Sequence, residues 1–203
     1  MNALINVIEI FGIIAFALTG IYEARKKNMD LVGVYAVAMI TAFGGGSLRD
    51  IILDRHPLFW IENYEYTVIL LILSIAATAP MKNLLDGKHA VTLVLALDAL
   101  GLGLFSASGA SVATQLGCAA FVASLLGVIT GVFGGVMRDT ICNEIPYVFQ
   151  RTELYATCSF LGAWAYLAIA ANTANEILAV IACIGVTFVL RMLAIRYKIK
   201  LPI

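Results

Sequence analysis

The sequence predicts an all-α integral membrane protein of seven transmembrane helices, built as two inverted three-helix repeats followed by a seventh helix. Three observations carry this. Hydrophobic residues make up 62% of the chain, charged residues only 13%, and the mean hydropathy is +0.95, more apolar surface than 203 residues could hide in one water-soluble core. The apolar residues fall into runs separated by short polar connections. The chain also repeats itself without a gap at an offset of 89 residues.

The repeat is anchored by Gly45-Gly46-x-x-Arg49-Asp50, which returns as Gly134-Gly135-x-x-Arg138-Asp139. Gly12, Phe16, Gly20, Ala24, Ile40, Thr41, Ile52 and Pro57 return as Gly101, Phe105, Gly109, Ala113, Ile129, Thr130, Ile141 and Pro146, giving twelve identities over 49 aligned positions. Position 9 is acidic in both copies, as Glu9 and Asp98.

About 20 apolar residues cross the hydrocarbon core, and the runs divide as 4–22, 31–53, 65–81, 90–110, 115–142, 153–171 and 176–195. The first run lacks a basic leader, is interrupted by Glu9 and is matched by the internal segment around Phe105, so it reads as a retained span rather than a signal peptide. Connections are expected at Arg25–Asn28, Asp54–Pro57, Lys82–His89, Gly109–Ser111, Asn143–Pro146 and Asn172–Asn175. They leave one membrane domain: residues 1–88 for the first repeat, 89–172 for the second and 173–203 for the last helix.

Basic residues in short loops favour the cytoplasm. Placing the Arg25-Lys26-Lys27 loop inside leaves only Arg49 and Arg55 on the outer side, with the N-terminus outside and the C-terminus cytoplasmic. Each repeat holds an odd number of helices, so the second copy must enter upside down. Its equivalent of the basic loop is the uncharged Thr114-Gln115 region, as inversion requires.

Composition also excludes classes. Net charge is zero, which offers nucleic acid no basic stripe. Cys118, Cys142, Cys158 and Cys183 stand singly in apolar stretches and read as packing residues, not disulfides or metal ligands. There is no P-loop, no H-E-x-x-H and no G-x-S-x-G, so neither an enzyme nor a bound cofactor is expected.

Glycine weakens a helix by about 1 kcal/mol relative to alanine. Gly44-Gly45-Gly46 in the second helix and Gly134-Gly135 in the fifth therefore mark places to bend or unwind, and helix breaks at matching positions of inverted repeats point to an ion or substrate site. Small residues at four-residue spacing equally serve tight packing, as in Gly127, Gly131 and Gly135. The adjacent Arg49, Asp50, Arg138 and Asp139 favour function, because charges inside a membrane must be paired or wet. With Glu9 and Asp98 they make four acids against two arginines, a surplus that suits cations. Snorkelling arginines and simple neutralisation are the plainer alternatives.

These residues resemble a known family. Phe43-Gly44-Gly45-Gly46-Ser47-Leu48-Arg49-Asp50 and Phe133-Gly134-Gly135-Val136-Met137-Arg138-Asp139, in a seven-helix inverted repeat, are similar to the prokaryotic trimeric intracellular cation channels, a group also described as a glycine-transporter family. The resemblance implies a homotrimer in the prokaryotic inner membrane, in contact with lipid and with room for a bound one. Each subunit would carry its own K⁺- and Na⁺-permeable pore. Helices 2 and 5 would kink at Gly44 to Gly46 and Gly134 to Gly135 and hold a monovalent cation there, with Arg49, Asp50, Arg138 and Asp139 near the constriction. A carrier of glycine or another small amino acid, using the same broken helices, is the alternative.

Overall fold

The computed structural model describes residues 3–78, 88–151, 153–173 and 175–200. Among them are eight α-helices: α1 (Ala3–Lys26), α2 (Leu31–Ile52), the single turn α3 (Phe59–Glu62), α4 (Glu65–Thr78), α5 (Lys88–Gln115), α6 (Ala120–Ile141), α7 (Ala156–Asn172) and α8 (Glu176–Tyr197). A 3₁₀ turn at Tyr147–Phe149 precedes α7. Helices α1, α2, α5, α6 and α8 are each long enough to span a membrane, with mean hydropathy between 1.7 and 2.5. Helices α4 and α7 are apolar but shorter, at 14 and 17 residues. The chain is an all-helical membrane protein.

The expected spans correspond to α1, α2, α4, α5, α6, α7 and α8. Residues 79–81 of the third lie outside the described residues, as does most of the connection after it. One boundary differs. A connection was expected at Gly109–Ser111, yet α5 runs on to Gln115 and the turn falls at Leu116–Ala119. Gly109, Ala110 and Ser111 are buried instead, small enough to let α5 lie against α6. The turn closes at Gly117, whose φ of 76° suits a residue without Cβ.

The duplication is visible in how helices end. Asn28 after α1 and Gly117 after α5 both take left-handed backbone angles, as do Asp54 after α2 and Asn143 after α6. The amide of Met29 donates to the carbonyl of Ala24 as that of Cys118 does to Ala113, and Arg55 to Asp50 as Glu144 to Asp139. Each is the six-to-one bond that terminates a helix when its C′ residue turns left-handed.

Contacts between the halves come in exchanged pairs. Gly12 lies against the Phe105 ring, and Gly101 against the Phe16 ring. The two rings meet each other with centroids 5.2 Å apart. Helix α2 crosses α6 at Gly45, where an added Cβ would overlap the carbonyl oxygen of Thr130; α6 answers with Gly134 against the carbonyl of Thr41. Helix α8 lies outside this exchange and packs on α5 and α7, with Thr187 and Cys183 against Gly162.

Candidate functional site

The glycine helices are not unwound. Helix α2 is continuous from Leu31 to Ile52 and α6 from Ala120 to Ile141, straight through Gly44, Gly45, Gly46, Gly134 and Gly135. Backbone carbonyls there remain engaged in helical bonds, so unwinding does not free them for an ion. What Gly45 and Gly134 provide is proximity. With no Cβ, each helix sets its backbone directly on a carbonyl of the other, and that contact offsets glycine's weak helix propensity. Gly44 packs by Met137 and, with Phe43, Trp60 and Phe133, lines an apolar cavity of about 320 Å³. Gly46 and Gly135 sit beside the side chains of Arg49 and Arg138.

Near the end of each crossing helix stands a buried arginine. Arg49, in the last turn of α2 and wholly shielded, donates through Nη1 to Glu9 Oε1 of α1 at 2.5 Å and to Ser108 Oγ of α5 at 2.6 Å. Its Nε donates to Asp50 Oδ1 at 2.9 Å, and Ser108 Oγ donates to Glu9 Oε1 at 2.8 Å. Arg55, just past the helix, adds a second guanidinium on Asp50 Oδ1 at 2.9 Å.

The second cluster repeats the first 89 residues on. Arg138 donates through Nη1 to Asp98 Oδ1 of α5 at 3.1 Å and to Thr19 Oγ1 of α1 at 3.1 Å, while its Nε donates to Asp139 Oδ1 at 2.9 Å. Thr19 and Ser108 are themselves 89 residues apart. Each arginine therefore takes a carboxylate from its own half and a hydroxyl from the other.

One substitution separates the two. Where the first copy has Arg55, the second has Glu144, and Asp139 Oδ2 accepts instead from the backbone amide of Tyr147 at 3.0 Å. The first cluster thus holds two arginines and two acids and is neutral; the second holds one arginine and two acids and is left with one negative charge. Burial follows the charge balance. The neutral cluster is sealed, with side chains no more than 4% exposed except Arg55, whereas Arg138, Asp98 and Asp139 line a cavity of about 260 Å³. A sealed ion cluster must be neutral, since an unbalanced charge without water costs several kcal/mol. The unbalanced cluster is the one in contact with a cavity.

At the mouth of that cavity, Lys27 of the α1–α2 loop forms an ion pair with Glu144 of the segment after α6. The hydrogen bond between them raises the Lys27 ammonium above the usual lysine range and lowers the Glu144 carboxyl below the usual glutamate range. On the wall stands Arg191 of α8, its guanidinium over the rings of Tyr147 and Tyr155, which meet each other edge to face.

All the charges singled out from sequence, Glu9, Asp98, Arg49, Asp50, Arg138 and Asp139, fall in these two clusters. Thr19, Ser108, Arg55, Tyr147, Tyr155 and Arg191 were not anticipated. For Thr19 and Ser108 a signal existed, a hydroxyl at the same place in both copies, hidden because a count of identities passes over Thr matched to Ser. Arg191 lies outside the repeat and had none.

A sequence model of a family described as "Glycine transporter" matches residues 6–81 and again 95–171, two segments whose starts are 89 residues apart. The inner membrane protein YadS of Escherichia coli is 34% identical over 197 residues, covering 96% of this chain and 93% of that one. The crystallised trimeric intracellular cation channel (TRIC) orthologue of Rhodobacter sphaeroides superposes with a TM-score of 0.86 at 33% identity, over 97% of this chain and 99% of that one. A prokaryotic TRIC channel crystallised in 0.5 M KCl gives 0.89 at 30% identity, over 97% and 98%. With nearly all of its length covered, its fold matched and its two halves each recognised by the family model, the chain belongs to the prokaryotic branch of the trimeric intracellular cation channel family.

Proposed function

We propose that the protein is a cation channel permeable to K⁺ and Na⁺, acting as a homotrimer in the prokaryotic inner membrane, with one path through each subunit beside the crossing of α2 and α6. The observation that carries this reading is the pair of exchanged arginine clusters flanking that crossing, one of them left with a net negative charge against a cavity. Carboxylates beside a water-filled constriction attract cations and disfavour anions. The solved TRIC channels that resemble the chain support the same assignment.

In this reading residues 1–88 and 89–172 are inverted repeats about a pseudo-twofold axis, and 173–203 supply α8. The exchanged contacts favour it, because a twofold axis between two halves turns each contact between them into its counterpart with the roles swapped. The N-terminus lies outside and the C-terminus in the cytoplasm, as the basic loops direct. The permeant ion is held near Gly44, Gly45, Gly134 and Gly135 by water and the flanking carboxylates, and the apolar outer faces meet lipid. A carrier of glycine or another small amino acid is the second reading. It is favoured by a cavity bearing both carboxylates and guanidinium groups, the two charges a zwitterion needs.

Recording the purified protein in a planar bilayer in KCl decides between them. Discrete openings are expected, larger in Arg138→Ala, which exposes the acids, and smaller in Asp139→Asn, which leaves Arg138 paired with Asp98 alone. Saturable glycine uptake without current overturns the channel. If both substitutions move the current the same way, the electrostatic account fails.

A further inference from the structure

Helix α8 has no counterpart in the repeat, yet it places one charge at the site. Arg191 is 1% exposed. Its guanidinium carbon lies 4.8 Å from the centre of the Tyr147 ring and 4.9 Å from that of Tyr155, and Nη1 donates to the carbonyl of Leu154 at 2.9 Å. Its Nε meets no acceptor, and among the described residues no carboxylate pairs with it. Rings and carbonyls hold a guanidinium in place without cancelling its charge. Arg191 lines the same cavity as Arg138, Asp98 and Asp139. In that cavity Glu23 is paired with Lys26 and Glu144 with Lys27, so Arg191 is the charge that balances the surplus acid of the Arg138 cluster.

We propose that Arg191 is a conductance-limiting residue, a fixed positive charge that lowers cation occupancy of the Arg138 cavity and keeps the path from rectifying. The assignment rests on the cation-channel reading above. Linearity follows because Arg191 leaves both ends neutral: the Arg49 cluster at one is sealed and neutral, and without Arg191 the surplus acid would stand at the other end only. A unit charge on the wall of a wet cavity changes local cation concentration by about fivefold in dilute salt. The effect must vanish in concentrated salt, as the screening length falls from about 30 Å at 0.01 M to about 3 Å at 1 M.

The test is single-channel recording of the full-length trimer, comparing wild type, Arg191→Gln and Arg191→Lys in dilute and molar KCl. The wild type is expected to be ohmic in both; Arg191→Gln should rectify about fivefold in dilute salt, with the larger dilute-salt current, and become ohmic in molar salt, and Arg191→Lys should follow the wild type. Ohmic currents in Arg191→Gln at both salts, or rectification of the same size in Arg191→Lys, overturn the role of the charge. Should Arg191→Gln fail to assemble, the wild type and Arg191→Lys decide, because rectified dilute-salt current in either overturns the assignment. Absence of any KCl current in the wild type removes the channel reading, and this one with it.

Discussion

Glu9→Gln tests whether the sealed cluster depends on charge balance. The substitution keeps the side chain's shape and its hydrogen bonding toward Arg49 Nη1, but removes one of two negative charges from a site that excludes water. Asp50 would then be the cluster's remaining carboxylate, leaving Arg49 without the one that Glu9 gave it. Removing one partner of a buried ion pair costs about 3–5 kcal/mol; the amide's retained hydrogen bonds place the loss at the low end, about 3 kcal/mol. The matching change in the other half, Asp98→Asn, leaves Arg138 with Asp139 beside a cavity that can admit water to screen the charge left over, and should cost less, about 1 kcal/mol. Thermal unfolding of the purified protein in detergent reads the difference, at roughly 2–4 °C per kcal/mol for a chain of this size. A fall of about 6–12 °C is expected for Glu9→Gln and less than about 4 °C for Asp98→Asn. The double variant Glu9→Gln/Arg49→Met, which restores neutrality through Asp50 and Arg55, should recover part of the loss. Equal losses in the two single variants, or a double variant less stable than Glu9→Gln, would falsify the link between sealing and neutrality.

Other consequences are as direct. Gly45→Ala sets a methyl on the Thr130 carbonyl oxygen, whereas Gly46→Ala meets nothing nearer than Arg49 Nη2 at 3.9 Å; the first should cost about 1–3 kcal/mol and the second less than about 0.5 kcal/mol, and similar melting temperatures for both would show that α2 and α6 do not depend on this contact. The Lys27–Glu144 pair has its carboxyl lowered and its ammonium raised, so its contribution is complete at neutral pH. That contribution is lost at the acid end as pH falls through the depressed Glu144 value, and at the alkaline end as it rises through the elevated Lys27 value. Amide exchange at residues 142–147 should therefore quicken at the acid end in the wild type and show no such step in Glu144→Gln. The proposed inversion places Asn28 and its counterpart Gly117 on opposite sides of the membrane. Single cysteines there, in a chain cleared of its own four, should react with an impermeant thiol reagent from opposite faces, and labelling from one face contradicts inversion.

Much of this protein is legible in its sequence, because membrane burial and gene duplication both write on every residue. An apolar run of span length declares a helix, since in lipid the backbone has few other ways to satisfy its polar groups. The offset of 89 residues aligns Glu9 with Asp98 and Arg49-Asp50 with Arg138-Asp139 before any contact is known. Where two physical roles share one residue type, sequence stops short. Glycine both loosens a helix and admits a neighbour, and only the carbonyls of Thr130 and Thr41 against Gly45 and Gly134 decide that α2 and α6 stay continuous. Gly109 to Ser111 read as a turn for the same reason, until α6 is laid beside them. Charge has the same ambiguity at longer range. That Arg55 completes one cluster while its counterpart Glu144 turns to Lys27, and that Arg191 of α8 reaches the cavity of the other, depends on distances between segments far apart in the chain. Those distances are set by packing, which is why the sequence by itself determined the helices, the duplication and the charged residues, and only the tertiary structure decided which arginine is sealed and which borders a cavity.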